Sequence, residues 1–327
     1  MALHGRDSKG EHAMDPATTM KVIVFDRFGG PEVLQQRDVR VPVPGDGEVL
    51  VRNEAAGVNP VDFKIRAGKY PAVKEDKLPY VPGRDVSGTV VACGPSTQRF
   101  AKGDTVFAMP GIERGGYAEY VVVKESEAAS RPKALDAVAA GAVPLAALTA
   151  WQGLFRHGEL KEGQRVLIHG GSGGVGHFAI QFAKAKGARV ATTVSGQRVA
   201  FARELGADQV IDYQTQRFEN EVEEVDLVFD LVGGDAQQRS WRVLKRGGIM
   251  VSTLAEPSQQ AAAERKARGT RYTVAESGAD LAEIAGLIDA GKVKPVIAKT
   301  FPLAEAAAAQ QYLEKSHPAG KVVLVVA

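Results

Sequence analysis

A short apolar stretch that runs straight into glycines constrains this chain more than anything else in it. Arg165-Val166-Leu167-Ile168-His169 reads as a buried strand, and Gly171-Ser172-Gly173-Gly174-Val175-Gly176 follows almost at once. Beyond it, Phe178 to Lys186 reads as a helix, with Phe178, Ile180, Phe182 and Ala183 available to pack inward. Gly171, Gly173 and Gly176 carry the G-x-G-x-x-G spacing, and the order strand, glycine turn, helix is the context that makes this spacing a dinucleotide-binding fingerprint. The first glycine permits the tight turn, the second lets backbone approach a pyrophosphate, and the third lets helix and strand pack closely. Backbone N–H groups at the new helix N-terminus then face the phosphates. A glycine turn without a ligand is the bland alternative, and the pattern downstream argues against it.

Downstream, strands alternate with helices. Arg189 to Val194, Gln209 to Ile211, Asp226 to Leu231 and Gly248 to Ser252 read as strands, and Arg271 to Val274 is a candidate sixth. Val199 to Leu205 reads as a helix between two of them. Such alternation implies parallel βαβ units with right-handed crossovers, a doubly wound α/β sheet of Rossmann type. Upstream the grammar differs. From Lys21-Val22-Ile23-Val24-Phe25 to Tyr117–Val123, short strands are broken by Gly and Pro, the signature of an antiparallel barrel-like unit. These strands include Val39–Val43, Glu48–Arg52, Gly88–Ala92 and Asp104–Ala108. Leu135 to Leu154 reads as helix interrupted at Pro144, Leu303 to Glu314 as helix, and Lys321 to Val326 as a last strand that completes the first unit.

An NAD site places an acid roughly 20 residues past the glycine turn, on the ribose hydroxyls. Here that place reads Val194-Ser195-Gly196-Gln197-Arg198, with no acid before Glu204. Ser195, Gln197 and Arg198 would donate to a 2′-phosphate, Arg198 bidentately, so NADPH is the expected cofactor. The alternative is that Arg198 is a solvated residue at a helix start.

The chain has 327 residues, more than one core usually serves, so two domains are expected. A formal net charge of +2, from 41 basic and 39 acidic residues, gives no electrostatic case for nucleic acid or a membrane surface as partner. The single cysteine, Cys93, rules out an intrachain disulfide and a four-thiolate zinc site; its strand-like setting reads as a small core residue. No stretch is long and apolar enough to span a bilayer, and the N-terminus lacks the apolar core of a secretory signal, so a cytoplasmic location is expected. Residues 1–19 are polar and aperiodic, with His4 and His12, and read as a flexible leader.

Leu167, Gly171-Ser172-Gly173-Gly174, Gly176, Gln181 and Lys184 keep a spacing similar to the quinone oxidoreductase signature. Asn59-Pro60-Val61-Asp62, Pro82-Gly83-Arg84-Asp85-Val86-Ser87-Gly88 and Gly320-Lys321-Val322-Val323-Leu324 support it. From Met20 on, the chain resembles the medium-chain dehydrogenase/reductase superfamily, in its zinc-free quinone oxidoreductase branch, which includes the zeta-crystallins. The resemblance implies a GroES-like β-barrel catalytic domain over 20–144, completed by 295–327, a Rossmann domain over 145–294, and a cleft between them. Zinc-dependent relatives carry a cysteine where this chain has Asn59 and a His-Glu pair where it has Arg84-Asp85. About three protein ligands are needed for a catalytic zinc, and they cannot be assembled, so no metal is expected.

Without a Lewis acid, a conjugated acceptor is the favourable substrate. Charge left by hydride addition to a quinone or an α,β-unsaturated carbonyl spreads onto an enolate-like oxygen, where one or two hydrogen-bond donors suffice. The resemblance implies that Asn59 lines the nicotinamide side, Thr149 lies near the cofactor, Tyr213 lies near the adenine and Lys321 approaches from the other domain. The structural alternatives are a helix residue for Thr149, a packing residue for Tyr213 and a surface charge for Lys321. Lys64 departs from the tyrosine common in bacterial quinone reductases, and Asn-Pro-Val-Asp-Phe-Lys is similar to plant alkenal/enone reductases. Lys64 and Tyr70 are the candidate donors to the substrate oxygen, Lys64 being equally readable as an exposed lysine on a short helix. The expected assembly is a homodimer or homotetramer. A cofactor-binding interaction protein and a zinc alcohol dehydrogenase are the competing readings.

Overall fold

The computed structural model describes residues 19–326, so the leader histidines His4 and His12 lie outside the described residues. The chain opens with β1 (Thr19–Val24), paired antiparallel with β2 (Gln35–Arg40). β3 (Glu48–Val58), β4 (Val86–Cys93), β5 (Thr105–Ala108), β6 (Tyr120–Lys124) and β7 (Ala128–Ser130) follow, and β3 is their hub. One edge of β3 pairs with β4; the other takes β6 along Glu48–Arg52. The expected strand Val39–Val43 is instead β2, shifted toward the N-terminus, because Pro42 and Pro44 interrupt the run and cannot donate to a ladder.

The parallel sheet contains β8 (Arg165–His169), β9 (Arg189–Val194), β10 (Gln209–Asp212), β11 (Val225–Asp230), β12 (Leu244–Ser252) and β13 (Arg268–Arg271). Their order is β10-β9-β8-β11-β12-β13, with every pair parallel. Neighbouring residues of one strand serve opposite cores: Val166 and Ile168 pack with Phe178 and Phe182, whereas Leu167 joins Val228, Met250 and Trp241 on the other face. That is why these strands read as unbroken apolar runs, the mark of a sheet covered on both sides. The sixth strand runs Arg268–Arg271, three residues N-terminal of its expected span Arg271–Val274, which leaves Tyr272–Val274 as connecting backbone at the strand's C-terminal end.

Pro144 does not kink one long helix. It opens a second one, Pro144–Trp151, after Ala137–Gly141, the helix position where a missing N–H costs nothing. The C-terminal segment then returns to the first sheet. β14 (Ile297–Pro302) and β15 (Lys321–Val325) pair parallel across the helix Ala306–Ser316, and β15 pairs antiparallel with Ala55–Val58 of β3, on the edge it shares with β6. The chain is therefore a mixed α/β protein, with an antiparallel barrel-like unit and a Rossmann-like parallel sheet. No helix among the described residues is long and apolar enough to cross a membrane.

Candidate functional site

The C-terminal ends of β8, β9, β11, β12 and β13 open into a cleft of about 1110 Å³ whose opposite wall comes from the antiparallel unit. In open parallel sheets this is where ligands bind. The glycine turn forms its floor. The backbone reversal occurs at Gly170, with φ of +76°, one residue before the turn proper. Gly171 has another duty: a Cβ there would lie 2.0 Å from Thr192 Oγ1, so it is turned into the sheet and, alone of the turn residues, does not line the cleft. A Cβ on Gly176 would come within 2.2 Å of the Gly170 carbonyl, which sets the close approach of the helix Gly176–Ala185 to β8. Gly173 differs, because a Cβ there would meet only that carbonyl, at 3.5 Å. Its open side, with Ser172, Gly174 and Val175 beside it, is a cradle that a dinucleotide backbone can occupy, so the residues present fit such a group.

His177, at the start of that helix, holds the cradle from behind. The Val296 N–H donates to its Nε2 at 3.3 Å, so Nδ1 carries the proton and donates to the Gly173 carbonyl at 3.1 Å. Burial keeps this ring neutral, with its pKa pushed down to about 4. His169 at the end of β8 is also buried, and for the same reason lowered to about 4. Ser240 Oγ donates to the Ala236 carbonyl and so accepts from His169 Nε2 at 2.8 Å, leaving Nδ1 to accept from Thr193. Both histidines are positioning residues for the sheet ends.

At the β9 end of the cleft lie Ser195, Gln197, Arg198 and Tyr213. Tyr213 is 61% exposed and Arg198 makes no ion pair among the described residues, so both remain free for a ligand. One acid that sequence distance hides does come near: a Cβ on Gly196 would lie 2.7 Å from Asp212 Oδ2. Its carboxylate already accepts from the Gln214 N–H and Thr215 Oγ1, and it does not line the cleft.

The opposite wall is built of buried side chains. Lys321 is 2% exposed, not the surface charge one reading allows. Its Nζ donates to Asn59 Oδ1 and, at 3.2 Å, to Asp85 Oδ2. Asn59 Nδ2 donates to the same Asp85 oxygen at 2.8 Å, while Asp85 Oδ1 accepts from the Leu145 N–H at 2.5 Å. Asp85 thus joins three parts of the cleft. Gly57 makes room for it, since a Cβ there would lie 2.2 Å from Asp85 Oδ2. Gly320 N–H donates to the Ser172 carbonyl at 3.0 Å, so the start of β15 is pinned to the glycine turn.

Behind this set, Asp62 caps the helix Pro60–Arg66: its Oδ2 accepts from the Asn59 N–H at 2.8 Å and from Tyr117 OH at 2.9 Å. Complete burial pushes the Asp62 carboxyl up to about 7, against those two hydrogen bonds. Lys64 and Tyr70 both line the cleft, half-buried. Thr149 lines it too, with its hydroxyl donating to the Leu145 carbonyl at 2.7 Å, so only its lone pairs are free. Arg84, unremarked as a site residue by its sequence position, lines the same wall and donates to Glu276 at 2.5 Å. Cys93, expected in the core, is exposed at the end of β4. Among the described residues no group of three His, Cys, Asp or Glu side chains is placed to hold a metal ion.

An antiparallel barrel and a parallel sheet that share a cleft floored by a glycine turn define a dinucleotide-binding protein of two units. Residues 45–133 match the alcohol dehydrogenase GroES-like domain and residues 205–324 match the zinc-binding dehydrogenase domain. The chain is 37% identical to an NADPH-dependent alkenal/one oxidoreductase of Arabidopsis thaliana, over 93% of this chain and 79% of the relative. It is 32% identical to human quinone oxidoreductase, over 94% and 98%. The solved quinone oxidoreductase from Coxiella burnetii superposes with a TM-score of 0.89 at 36% identity, covering 95% of this chain and all of that one. The chain belongs to the quinone oxidoreductase branch of the medium-chain dehydrogenase/reductase superfamily.

Proposed function

We propose that this chain is an NADPH-dependent oxidoreductase that delivers hydride to a quinone or an α,β-unsaturated carbonyl without zinc. One observation carries the reading: the cleft faces a glycine cradle and a free Arg198 with a wall whose Asn59 and Asp85 are already committed to the Lys321 ammonium. That donor set is complete with a cation of its own and has no thiolate or imidazole to offer a metal. Ser172, Gly173, Gly174, Val175 and Gly176 would hold the pyrophosphate, Ser195 and Arg198 the 2′-phosphate, and Tyr213 the adenine end; Gly171 serves by packing. When bound, the reduced nicotinamide supplies the hydride.

The chain's own residues do the rest. Asn59, fixed by Lys321 and Asp85, and Thr149 shape the nicotinamide side of the cleft. Lys64 and Tyr70 offer N–H and O–H donors to the acceptor oxygen, where charge develops as hydride arrives. The work is mainly positioning, which converts a bimolecular encounter into a held geometry. Lys64 and the identity to the Arabidopsis alkenal/one oxidoreductase favour an enone over a quinone as acceptor.

The test is steady-state oxidation of NADPH and NADH against a panel of quinones, alkenals and enones, with and without chelator. Turnover with NADPH, unaffected by chelation, is expected. NADPH binding with no turnover of any acceptor makes this a cofactor-binding interaction protein instead. Equal binding of both reduced cofactors defeats the NADPH assignment, and stoichiometric zinc with chelator-sensitive alcohol oxidation defeats the metal-free mechanism.

A further inference from the structure

The charge lining the cleft is one-sided. Among its lining residues there is no Asp or Glu, in a chain whose overall charge is nearly balanced. Seven Lys and Arg side chains line it. Three are neutralised from behind the wall: Arg84 by Glu276, Arg239 by Glu219 and Asp235, and Lys321 by Asp85. Lys64, Lys69, Arg198 and Arg271 make no ion pair or side-chain hydrogen bond among the described residues.

These four free cations do not serve one place. Arg198 follows β9, and Arg271 ends β13, four strand positions away in the sheet order. At about 4.8 Å per strand that is on the order of 19 Å. Arg198 stands where the 2′-phosphate is assigned, so Arg271 cannot reach that phosphate. Arg271 belongs to the other end of the cleft. The segment just beyond it is tied to the barrel wall, since Arg84 donates to Glu276. Lys64 and Lys69 stand on the barrel wall itself, either side of the turn that ends the helix Pro60–Arg66. Phe63, Val61 and Pro71 give the same wall an apolar surface.

We propose that Lys69 and Arg271, with Lys64 between the wall and the reacting oxygen, select an acceptor that carries an anionic group, a conjugated carbonyl on an apolar chain that ends in a carboxylate. This deepens the hydride-transfer reading and rests on it. The anionic group is a spectator: hydride adds to the carbon β to the carbonyl, a proton from solvent or a donor adds at the α carbon, and the carboxylate leaves unchanged. A cleft with low-dielectric walls and one sign of charge raises the local concentration of such a substrate and orients it.

The experiment compares matched pairs: a long-chain enone carboxylic acid, its methyl ester, and the phosphate ester of the corresponding enone alcohol. NADPH-dependent kcat/KM is measured for wild type, Lys69→Gln, Arg271→Gln and the double variant, and NADPH dissociation constants are measured by fluorescence. We expect the acid to exceed the ester by about 10-fold in kcat/KM, the scale of one charge-assisted hydrogen bond. That preference should shrink as ionic strength rises and vanish in the double variant, while ester turnover and NADPH affinity hold. Preference for the phosphate over the acid reassigns the anion and overturns the carboxylate choice. Equal turnover of acid and ester overturns the inference alone. Loss of NADPH affinity in the double variant also overturns it, because the two cations then belong to the cofactor. Turnover of none of the three while quinones are reduced overturns this inference alone; turnover of none of the three and of no quinone, with NADPH bound, overturns the function reading and this inference together.

Discussion

The sheet wall of the cleft is made of backbone, whereas the barrel wall is made of side chains. On the sheet side, shape comes from what glycine lacks: Gly171 and Gly176 let Thr192 and the Gly170 carbonyl come close, and Gly173 leaves the cradle open. On the barrel side, shape comes from a buried set of polar groups, Lys321, Asn59 and Asp85, fixed by mutual hydrogen bonds. Backbone walls are rigid and tolerate little added volume where they pack. Side-chain walls tolerate volume but not loss of a partner, because a buried charge left alone keeps its desolvation cost.

The comparison breaks most sharply under added carbon atoms. Gly176→Ala puts a Cβ 2.2 Å from a backbone oxygen that cannot move without moving β8. We expect a loss of about 4 kcal/mol or failure to fold. Gly173→Ala, with nothing nearer than 3.5 Å, should keep wild-type stability and lose NADPH affinity. Urea unfolding and cofactor titration of the two variants separate the packing glycine from the cradle glycine. If both unfold alike, the cradle is a packing feature.

Next in size is the buried pair. Lys321→Met leaves Asp85 ionised with only N–H partners, and should cost about 3–5 kcal/mol. Adding Asp85→Asn removes the stranded charge while keeping an acceptor for the Leu145 N–H, and should recover part of that loss. A double variant no more stable than Lys321→Met would mean that the lysine acts through packing. Smaller again is Arg198→Ala, which we expect to weaken NADPH binding by about 10-fold or more and leave NADH binding nearly unchanged, with no effect on unfolding.

The same division decides what the sequence could reveal. Backbone walls are written locally: strand, glycine turn and helix are adjacent in the chain, so β8 and β9 were legible to the residue and the turn could be named before any fold was known. Even so, the positive φ fell on Gly170 because both residues are glycine and spacing alone cannot assign it. The barrel wall is assembled from residues 59, 85 and 321, distant in the chain, and no periodicity joins them. Asn59 and Lys321 were reachable only through family resemblance, and the role of Asp85 was not reachable at all. Arg84, Lys69 and Arg271 were missed because a free cation and a paired one look alike in a sequence.

A last test sets the barrel wall against the sheet wall by pH. His169 and His177, behind the sheet wall, are lowered in the folded state from the usual 6.5 to about 4. Between those values the unfolded chain holds two more protons on them than the native protein, so their contribution to stability is present above 6.5 and is lost as pH falls toward 4. Asp62, behind the barrel wall, is raised from 3.8 to about 7, so the native protein holds one more proton over nearly the same range. Its contribution has the opposite sign, being present at low pH and lost as pH rises through 7. The two walls therefore partly cancel, and these three groups together should make stability rise between about pH 4 and 6.5 with a net contribution near one proton, about 1.4 kcal/mol per pH unit. Asp62→Asn keeps the acceptor for Tyr117 and removes the opposing proton, so the slope should steepen toward two protons. Urea midpoints measured across that range decide it: an unchanged slope in Asp62→Asn would show that Asp62 is ionised throughout, and that the barrel wall carries its charge into acid.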